Sequence, residues 1–379
     1  MNDRALARID LSAVQRNCAE LKRRLGDAAL CAVVKADGYG HGAAWCARAA
    51  IAGGATWLAV ATAEEAADLR RHGLRERLLV MGALTGEEVE LALAADADIV
   101  AWHRPFAEHV ARRAEAAGIH ARLHVKLDTG MGRLGTADVS EALDVIDLAC
   151  EDEHLEVAGV MTHLATADDP QSPLFDAQLE RFRGYVEQAR RSAPAAIAHA
   201  ANSAAALRSA DAHFDMARCG IAIYGLDPFH RDPSLHGLEP TLSLESYVAD
   251  VKPLARGDGV GYGRTWTAER DTRVAVLPIG YGDGYRRGLS NRAQVLVGGH
   301  RYPVAGTISM DNITVDVGGE PNVAVGELAT LIGAQGDERV LAEELAAALG
   351  TINYEITCGI APRVRRLYLH DDGEARSDD

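Results

Sequence analysis

Leu30-Cys31-Ala32-Val33-Val34-Lys35 is an apolar run that ends on a lysine, and the glycine-dense loop Ala36-Asp37-Gly38-Tyr39-Gly40-His41-Gly42 follows it. Strands buried on both faces read as continuous apolar runs of this kind. Further runs occupy 56–62, 77–82, 98–102, 121–128, 157–164, 196–202 and 214–218. Between them lie Ala/Glu/Arg-rich stretches, such as 105–117 and 175–193, with apolar residues recurring every ~3.6 positions. Eight strand–helix units predict an α/β fold, an N-terminal (β/α)8 TIM-like barrel. An open doubly wound sheet is the alternative; the near-even repeats favour closure. Upstream, Ser12-Ala13-Val14-Gln15 reads as a capping box that opens a helix through Leu25.

Past Leu226 the texture changes. Pro228, Pro233, Gly237 and Pro240 mark a linker, and short β-rich segments take over at 243–251, 273–277, 293–297, 302–304, 313–317 and 329–332. Residues 343–349 read as a helix among them. The expected organisation is a barrel domain over 1–235 and a mostly β domain over 236–379, with residues 1–10 open to pairing with the β domain.

The composition of the 379 residues, 48% hydrophobic and 25% charged, is that of a globular chain. A formal net charge of −16 argues against sequence-independent binding to nucleic acid or to anionic membranes. No apolar run reaches the roughly 18 residues of a membrane span, and the first residues lack a signal-peptide hydrophobic region. Cysteines at 18, 31, 46, 150, 219 and 358 form no C-x-x-C pair, which suits a reducing, cytoplasmic compartment. The acidic stretch from Asp371 to Asp379 reads as a solvated tail.

In a parallel barrel the chemistry sits at the C-terminal ends of the strands. Polar residues gather there: Lys35 after the first run, Lys126 and Asp128 at the fifth, His163 near the end of the sixth, Asn202 and Ser203 at the seventh, Arg218 at the eighth. A desolvated lysine loses its proton more easily and can form a Schiff base. The loops after strands seven and eight often bind phosphate; Ser203 opens a helical stretch there, and Gly220 lets the backbone come close to an anion. An amine, a phosphate cradle and an arginine on one rim suggest a phosphorylated carbonyl cofactor, with pyridoxal 5'-phosphate the first candidate. As a dinucleotide loop, Gly38-Tyr39-Gly40-His41-Gly42 misses the G-x-G-x-x-G spacing. No H-E-x-x-H or Cys/His cluster has metal-ligand spacing, so no metal is expected.

The run Ala32–Gly42, with its lysine, resembles the cofactor-attachment signature of bacterial alanine racemases. Similar matches follow in order: Lys126-Leu127-Asp128-Thr129-Gly130-Met131-Gly132-Arg133-Leu134-Gly135, Gly261-Tyr262-Gly263-Arg264-Thr265-Trp266, Pro278-Ile279-Gly280-Tyr281-Gly282-Asp283-Gly284-Tyr285, Ser309-Met310-Asp311 and Ile352-Asn353-Tyr354-Glu355. The resemblance spans roughly residues 5–368. It implies pyridoxal phosphate dependence and a homodimer in which each site borrows residues from the other subunit's β domain. It implies that Lys35 holds the cofactor, that Tyr39, Ser203, Gly220, Ile221 and Tyr354 surround its phosphate, and that Arg218 faces its pyridine nitrogen with His163 bonded behind. Arg133 and the backbone of the partner's Met310 would take the substrate carboxylate, and Tyr281 and Tyr354 would narrow the approach. Lys126 matches a lysine that is carbamylated in some members, where the anion orients an arginine, here Arg133. Ser309 stands where many members have Cys, and Gly38 and Gly282 where Ala is frequent; none of these removes a catalytic group.

Racemisation takes a proton from one face of the α-carbon and returns one on the other, so it needs two acid–bases. The resemblance assigns them to Lys35 and to a Tyr262 from the partner chain. Arginine donates only and stays protonated, so a pyridine nitrogen facing Arg218 stays unprotonated and the ring is a weaker electron sink. The expected function is alanine racemase (EC 5.1.1.1), supplying D-alanine for peptidoglycan. The rivals are a racemase of broader or different preference, such as serine, and a non-catalytic pyridoxal phosphate carrier. A barrel-type decarboxylase would want an acidic partner for the pyridine nitrogen, which Arg218 is not.

Overall fold

The computed structural model describes residues 3–319 and 322–370, and the backbone of 375–377. Most of the stretch read above as a solvated tail lies outside the described residues. The chain forms two compact units, one of residues 14–223 and one that joins 1–13 to 224–379. Among the described residues no helix is long and apolar enough to cross a membrane.

Strand β1 (Leu6–Asp10) belongs to the second unit. Strands β2 (Ala29–Val33), β3 (Trp57–Val60), β4 (Arg77–Val80), β5 (Asp98–Ala101), β6 (Ala121–Lys126), β7 (Leu155–Met161), β8 (Ile197–His199) and β9 (Met216–Cys219) are parallel and pair in the order β8-β7-β6-β5-β4-β3-β2-β9. The seam between β9 and β8 carries two backbone hydrogen bonds, Asp215 N–H to Ala198 O at 3.0 Å and Arg218 N–H to Ala201 O at 2.9 Å. The expected eight-stranded barrel is therefore present and nearly closed. Leu30, Leu58, Leu79, Ile99, Leu123 and Val160 are fully buried in its strands, which accounts for their uninterrupted apolar runs.

The intervening helices carry their own start signals. Thr62 Oγ1 accepts the Glu65 N–H at 3.2 Å and Glu65 Oε2 accepts the Thr62 N–H at 3.2 Å, a reciprocal cap on the helix Ala63–Arg71. The helix Arg104–Ala117 has proline in its first turn and ends on Gly118. The capping reading at Ser12 needs correction. The helix runs Leu11–Leu25 and its leading acceptor is Asp10, whose Oδ1 takes the Ala13 N–H at 2.9 Å. A carboxylate there also opposes the positive end of the helix dipole, which a serine does not.

In the second unit β10 (Leu242–Tyr247), β11 (Asp250–Leu254), β12 (Gly259–Val260), β13 (Trp266–Thr267), β14 (Thr272–Leu277), β15 (Gln294–Val297), β16 (His300–Pro303), β17 (Ile313–Gly318), β18 (Leu328–Gln335), β19 (Glu338–Val340), β20 (Arg365–Leu369) and β21 (Ala375–Ser377) make up the mostly β architecture. One sheet runs β16-β15-β18-β10-β1-β20-β21 with β19 beside β18; β11-β14-β17 and β12-β13 form smaller sheets. β10 and β17 alternate buried and half-buried residues, the mark of a sheet covered on one face. β1 pairs antiparallel with β10 and parallel with β20, Leu6 lying opposite both Glu245 and Arg365.

Asp283 ties three segments of this unit at one buried point. Its carboxylate takes both guanidinium arms of Arg4 (NH1 to Oδ2 at 3.0 Å), Arg363 Nε at 2.8 Å and the Gly280 N–H at 2.9 Å. Asp283 is fully buried, while both arginines keep about two-fifths of their side-chain surface in water. Removing the carboxylate strands a backbone donor and two half-hydrated cations. Asp283→Ala should therefore cost about 2–3 kcal/mol, read as a lower midpoint of urea unfolding. Asp311→Ala, which removes an exposed partner of Arg363, should shift the midpoint far less.

Candidate active site

Lys35 stands two residues past the end of β2 and opens a left-handed turn. Ala36, Asp37, Gly38, Tyr39 and Gly40 have φ of 51°, 52°, 61°, 56° and 85°. Each such step costs an L-residue with a Cβ about 1–2 kcal/mol, so the surroundings must over-determine the turn. They do: Gly38 N–H bonds Val34 O at 2.9 Å, Gly40 N–H bonds Ala36 O at 3.0 Å and Gly42 N–H bonds Asp37 O at 2.9 Å. Glu65 Oε1 takes the Ala36 N–H at 2.6 Å, and Asp37 Oδ1 takes the Ala43 N–H at 2.9 Å to start the next helix.

The turn carries the Tyr39 hydroxyl to Gly220. A Cβ at position 220 would fall on the Tyr39 phenol, so glycine there lets the phenol come close to the backbone. Ser203 opens the short helix Ser203–Arg208, capped by Asn202 Oδ1, which accepts the Ala205 N–H at 3.0 Å. Its Oγ accepts the N–H groups of Gly220 at 3.0 Å and Ala222 at 3.3 Å. Tyr39, Ser203, Gly220 and Ile221 thus meet in one place at the C-terminal end of the barrel strands.

Lys126, at the end of β6, is almost wholly buried. Burial, reinforced by the charges of Arg218, Arg133 and Lys35, pulls its ammonium down to about 8 from the ordinary 10.5, against a weaker opposing pull from Asp128. Four cations therefore share this rim. Asp128 is engaged by the backbone instead. Its carboxylate accepts the N–H groups of Gly130, Met131, Gly132 and Arg133 at 2.7–3.1 Å and shapes the loop that bears Arg133. Burial would raise the Asp128 carboxyl, and those four donors hold it below its ordinary value. Gln178, fully buried, ties the neighbouring loops by donating to Thr129 Oγ1 and His163 O, each at 3.1 Å, and accepting the Ala165 N–H at 2.8 Å.

Arg218 lies inside the barrel. It donates to Thr162 O at 2.9 Å, His199 O at 3.0 Å, Ala200 O at 3.3 Å, His199 Nδ1 at 2.8 Å and His163 Nδ1 at 3.2 Å. Burial lowers it to about 10 from 12.5, so it stays charged at neutral pH. The same burial, with Arg218 beside them, holds His163 and His199 neutral, well below the ordinary imidazole value.

Four predicted site residues lie in the other unit. Tyr262 sits on a tight turn, Tyr262–Arg264, beside the glycines at 261 and 263, and is 74% exposed. Met310 is 53% exposed. Tyr281 N–H bonds Ser309 O at 3.0 Å and Gly282 N–H bonds Met310 O at 2.9 Å, so Tyr281 and Met310 ride on one pair of loops. Tyr354 follows Asn353 in the helix Asn353–Cys358. A cavity of about 380 Å³ lies between Tyr262 and the strand β17 residues Ile313 and Thr314.

The alanine racemase N-terminal domain model matches residues 9–228, and the C-terminal domain model matches 241–368. This chain belongs to the alanine racemase family. An alanine racemase of Symbiobacterium thermophilum is 45% identical over 363 residues, 96% of each chain. Alanine racemase 1 of Bacillus subtilis is 39% identical, over 96% of this chain and 93% of its own. Among solved structures, the alanine racemase of Streptomyces coelicolor superimposes with a TM-score of 0.92 at 42% identity, covering 96% of this chain and 97% of that one. An alanine racemase of Bacillus anthracis solved with bound L-Ala-P gives 0.90 at 33% identity, covering 100% and 98%. The alanine racemase resemblance carried by the motifs is thereby established as membership.

Sequence reasoning passed over Asp98, His124, His199 and Gln178, all fully buried. The available signal was phase: His124 and Lys126 share one face of β6, as residues two apart on a strand do. The buried histidines also set a pH response. The unfolded chain binds protons on them near pH 6.5, while His163 and His199 stay neutral in the fold. Their contribution is full above that pH and declines as pH falls below it. The urea midpoint should fall on acidification, and less steeply in His163→Asn.

Proposed function

We propose that the protein interconverts L- and D-alanine as a cytoplasmic homodimer that uses pyridoxal 5'-phosphate. The observation that carries the reading is the cluster of Lys35, Lys126, Arg133 and Arg218 at the strand ends beside the hydroxyls of Tyr39 and Ser203. Such a site asks for anions, and a phosphate monoester plus a carboxylate answer it. The six cysteines form no disulfide among the described residues, which suits the reducing compartment.

The residues present fit the cofactor. The absence of a Cβ at Gly220 makes room for the Tyr39 phenol, and the hydroxyls of Tyr39 and Ser203 meet the 220–222 backbone there. Lys35 would hold the aldehyde carbon; Tyr39, Ser203, Gly220, Ile221 and Tyr354 would take the phosphate, and Arg218 the pyridine nitrogen. When bound, pyridoxal phosphate supplies an electron-withdrawing ring that acidifies the α C–H of an attached amino acid. Arg133 and the backbone of the partner's Met310 orient the carboxylate, and Tyr281 and Tyr354 restrict the approach. Lys35 Nζ exchanges a proton on one face of the α-carbon, and Tyr262 of the partner subunit does so on the other. A phenol near its ordinary value of about 10 needs donors to hold its anion. Since His163 Nδ1 accepts from Arg218, a neutral His163 carries its hydrogen on Nε2 and has it to give. The large exposed side chains of Tyr262 and Met310 suit residues destined for a second copy of the chain.

A chiral assay across alanine, serine and larger amino acids tests the reading. Wild type should turn over alanine best, and Lys35→Ala and Tyr262→Phe should each lose nearly all two-way turnover. Mixing those two inactive variants under subunit exchange should restore about a quarter of wild-type activity, because half the dimers then hold one intact site of two. No recovery with demonstrated exchange would remove the shared site.

Lys126 completes the electrostatics. With its ammonium at about 8, part of it is neutral near pH 7.5. The free amine can attack carbon dioxide, forming an N–C bond and losing one proton to leave a carbamate anion among three cations. Enzyme equilibrated with ¹³C-bicarbonate should show one protected carbamate resonance, absent from Lys126→Ala.

A further inference from the structure

The interior of a closed barrel is ordinarily filled by branched aliphatic side chains. Here a polar column replaces part of that packing. Arg218 NH1 meets His199 Nδ1 at 2.8 Å, His199 Nε2 meets His124 Nδ1 at 2.7 Å, and His124 Nε2 meets Asp98 Oδ2 at 3.0 Å. Arg218 keeps 3% of its surface and the other three none. Asp98 is the first residue of β5 and His199 the last of β8, so the column climbs from the N-terminal end of the strands toward the site. At the lower end Asp98 takes Arg77 NH2 at 2.7 Å and Arg122 Nε at 2.6 Å, both from side chains that reach solvent. Gly159 lies opposite His124 in the β6–β7 pairing, and a Cβ there would fall on the His124 ring.

The hydrogen bonds can run in only one direction. Arginine donates and never accepts, so His199 Nδ1 is an acceptor. A neutral His199 then bears hydrogen on Nε2 and donates it to His124 Nδ1. His124 in turn bears hydrogen on Nε2 and donates to Asp98. Asp98 must be the terminal acceptor, and the hydrogen bonds it takes from His124, Arg77 and Arg122 outweigh burial and hold its carboxyl below the ordinary value. Among the described residues no carboxylate stands within ion-pair distance of Arg218, whose acceptors are two imidazole nitrogens and three carbonyl oxygens. The column's one carboxylate, Asp98, stands at its far end.

We propose that Asp98, His124 and His199 are positioning residues: through this one-way chain they hold the Arg218 guanidinium charged and aimed at the cofactor ring. This deepens the function proposed above, and its kinetic arm rests on that reading. A merely structural column would set stability without setting turnover. Two measurements separate the cases.

The first is ¹⁵N NMR of histidine-labelled enzyme, with and without pyridoxal phosphate. His124 and His199 should both be neutral with hydrogen on Nε2; hydrogen on Nδ1 of either, or an imidazolium, overturns the chain. The second uses His199→Asn, whose amide oxygen keeps an acceptor near the Nδ1 position but cuts the link to His124, and Asp98→Asn, which keeps the shape but removes the charge. Each should lower kcat roughly tenfold, the scale on which outer hydrogen-bond partners of a functional group act. KM for alanine should stay within about twofold, and the visible absorbance band of the bound cofactor should shift. An unchanged kcat and band in folded His199→Asn would show that the local acceptor suffices and overturn the proposal. If one variant fails to fold, the kcat and band of the other decide the positioning role, and the tautomers test the chain itself in either case. Wild type that binds the cofactor but does not racemise alanine would overturn the functional reading and leave the tautomer test standing.

Discussion

A guanidinium taken out of water must find a fixed acceptor for each of its donors or lose several kcal/mol. Both terminal nitrogens of Arg218 find theirs inside the barrel, and the arrangement around it follows. Carbonyls at the ends of β7 and β8 turn inward to receive it. Two imidazoles present their Nδ1 lone pairs to it and are kept neutral by burial, reinforced by its charge. Burial depresses the Lys126 ammonium, and the same positive field, joined by Arg133 and Lys35, adds to it. One buried charge thus couples the protonation of three neighbours, and each of those states bears on what the rim can bind.

The strand count and the barrel were legible because strands covered on both sides cannot alternate, so their apolar runs stand out at near-even spacing. The site lysine and the rim residues were legible through their motifs and through their recurrence at run ends. The polar column was not legible, because Asp98, His124 and His199 sit within runs whose remaining members are apolar, and single polar residues there do not disturb the pattern. Nor was the reversed handedness of the turn after Lys35. Gly38 and Gly40 hint at it, but Ala36, Asp37 and Tyr39 adopt it only because Glu65 and the Asp37 side chain pin their neighbours. Asp10 was hidden as a helix cap for a simpler reason: it is also the last residue of a strand.

The two units present different kinds of chemistry. The barrel unit supplies the buried cations Lys126 and Arg218, the latter fixed by hydrogen bonds from neighbouring strands, and a cradle at the strand ends. The β unit supplies Tyr262, Tyr281 and Met310 on exposed loops whose geometry comes from glycine turns and from the backbone bonds of Tyr281 and Gly282. Rigid pre-arrangement in the first and accessible presentation in the second suit the shared site proposed above.

Strand β1 lies between β10 and β20, so the main sheet of the β unit is stitched from segments at opposite ends of the described chain. During synthesis Leu6–Asp10 emerges long before either neighbour exists, while every strand of the barrel has its partners within residues 29–219. The nascent polypeptide therefore carries an unpaired β-edge through most of its translation, the feature that invites mispairing between chains on a crowded polysome. Its shortness and its charged Arg8 and Asp10 are the natural safeguards over that interval.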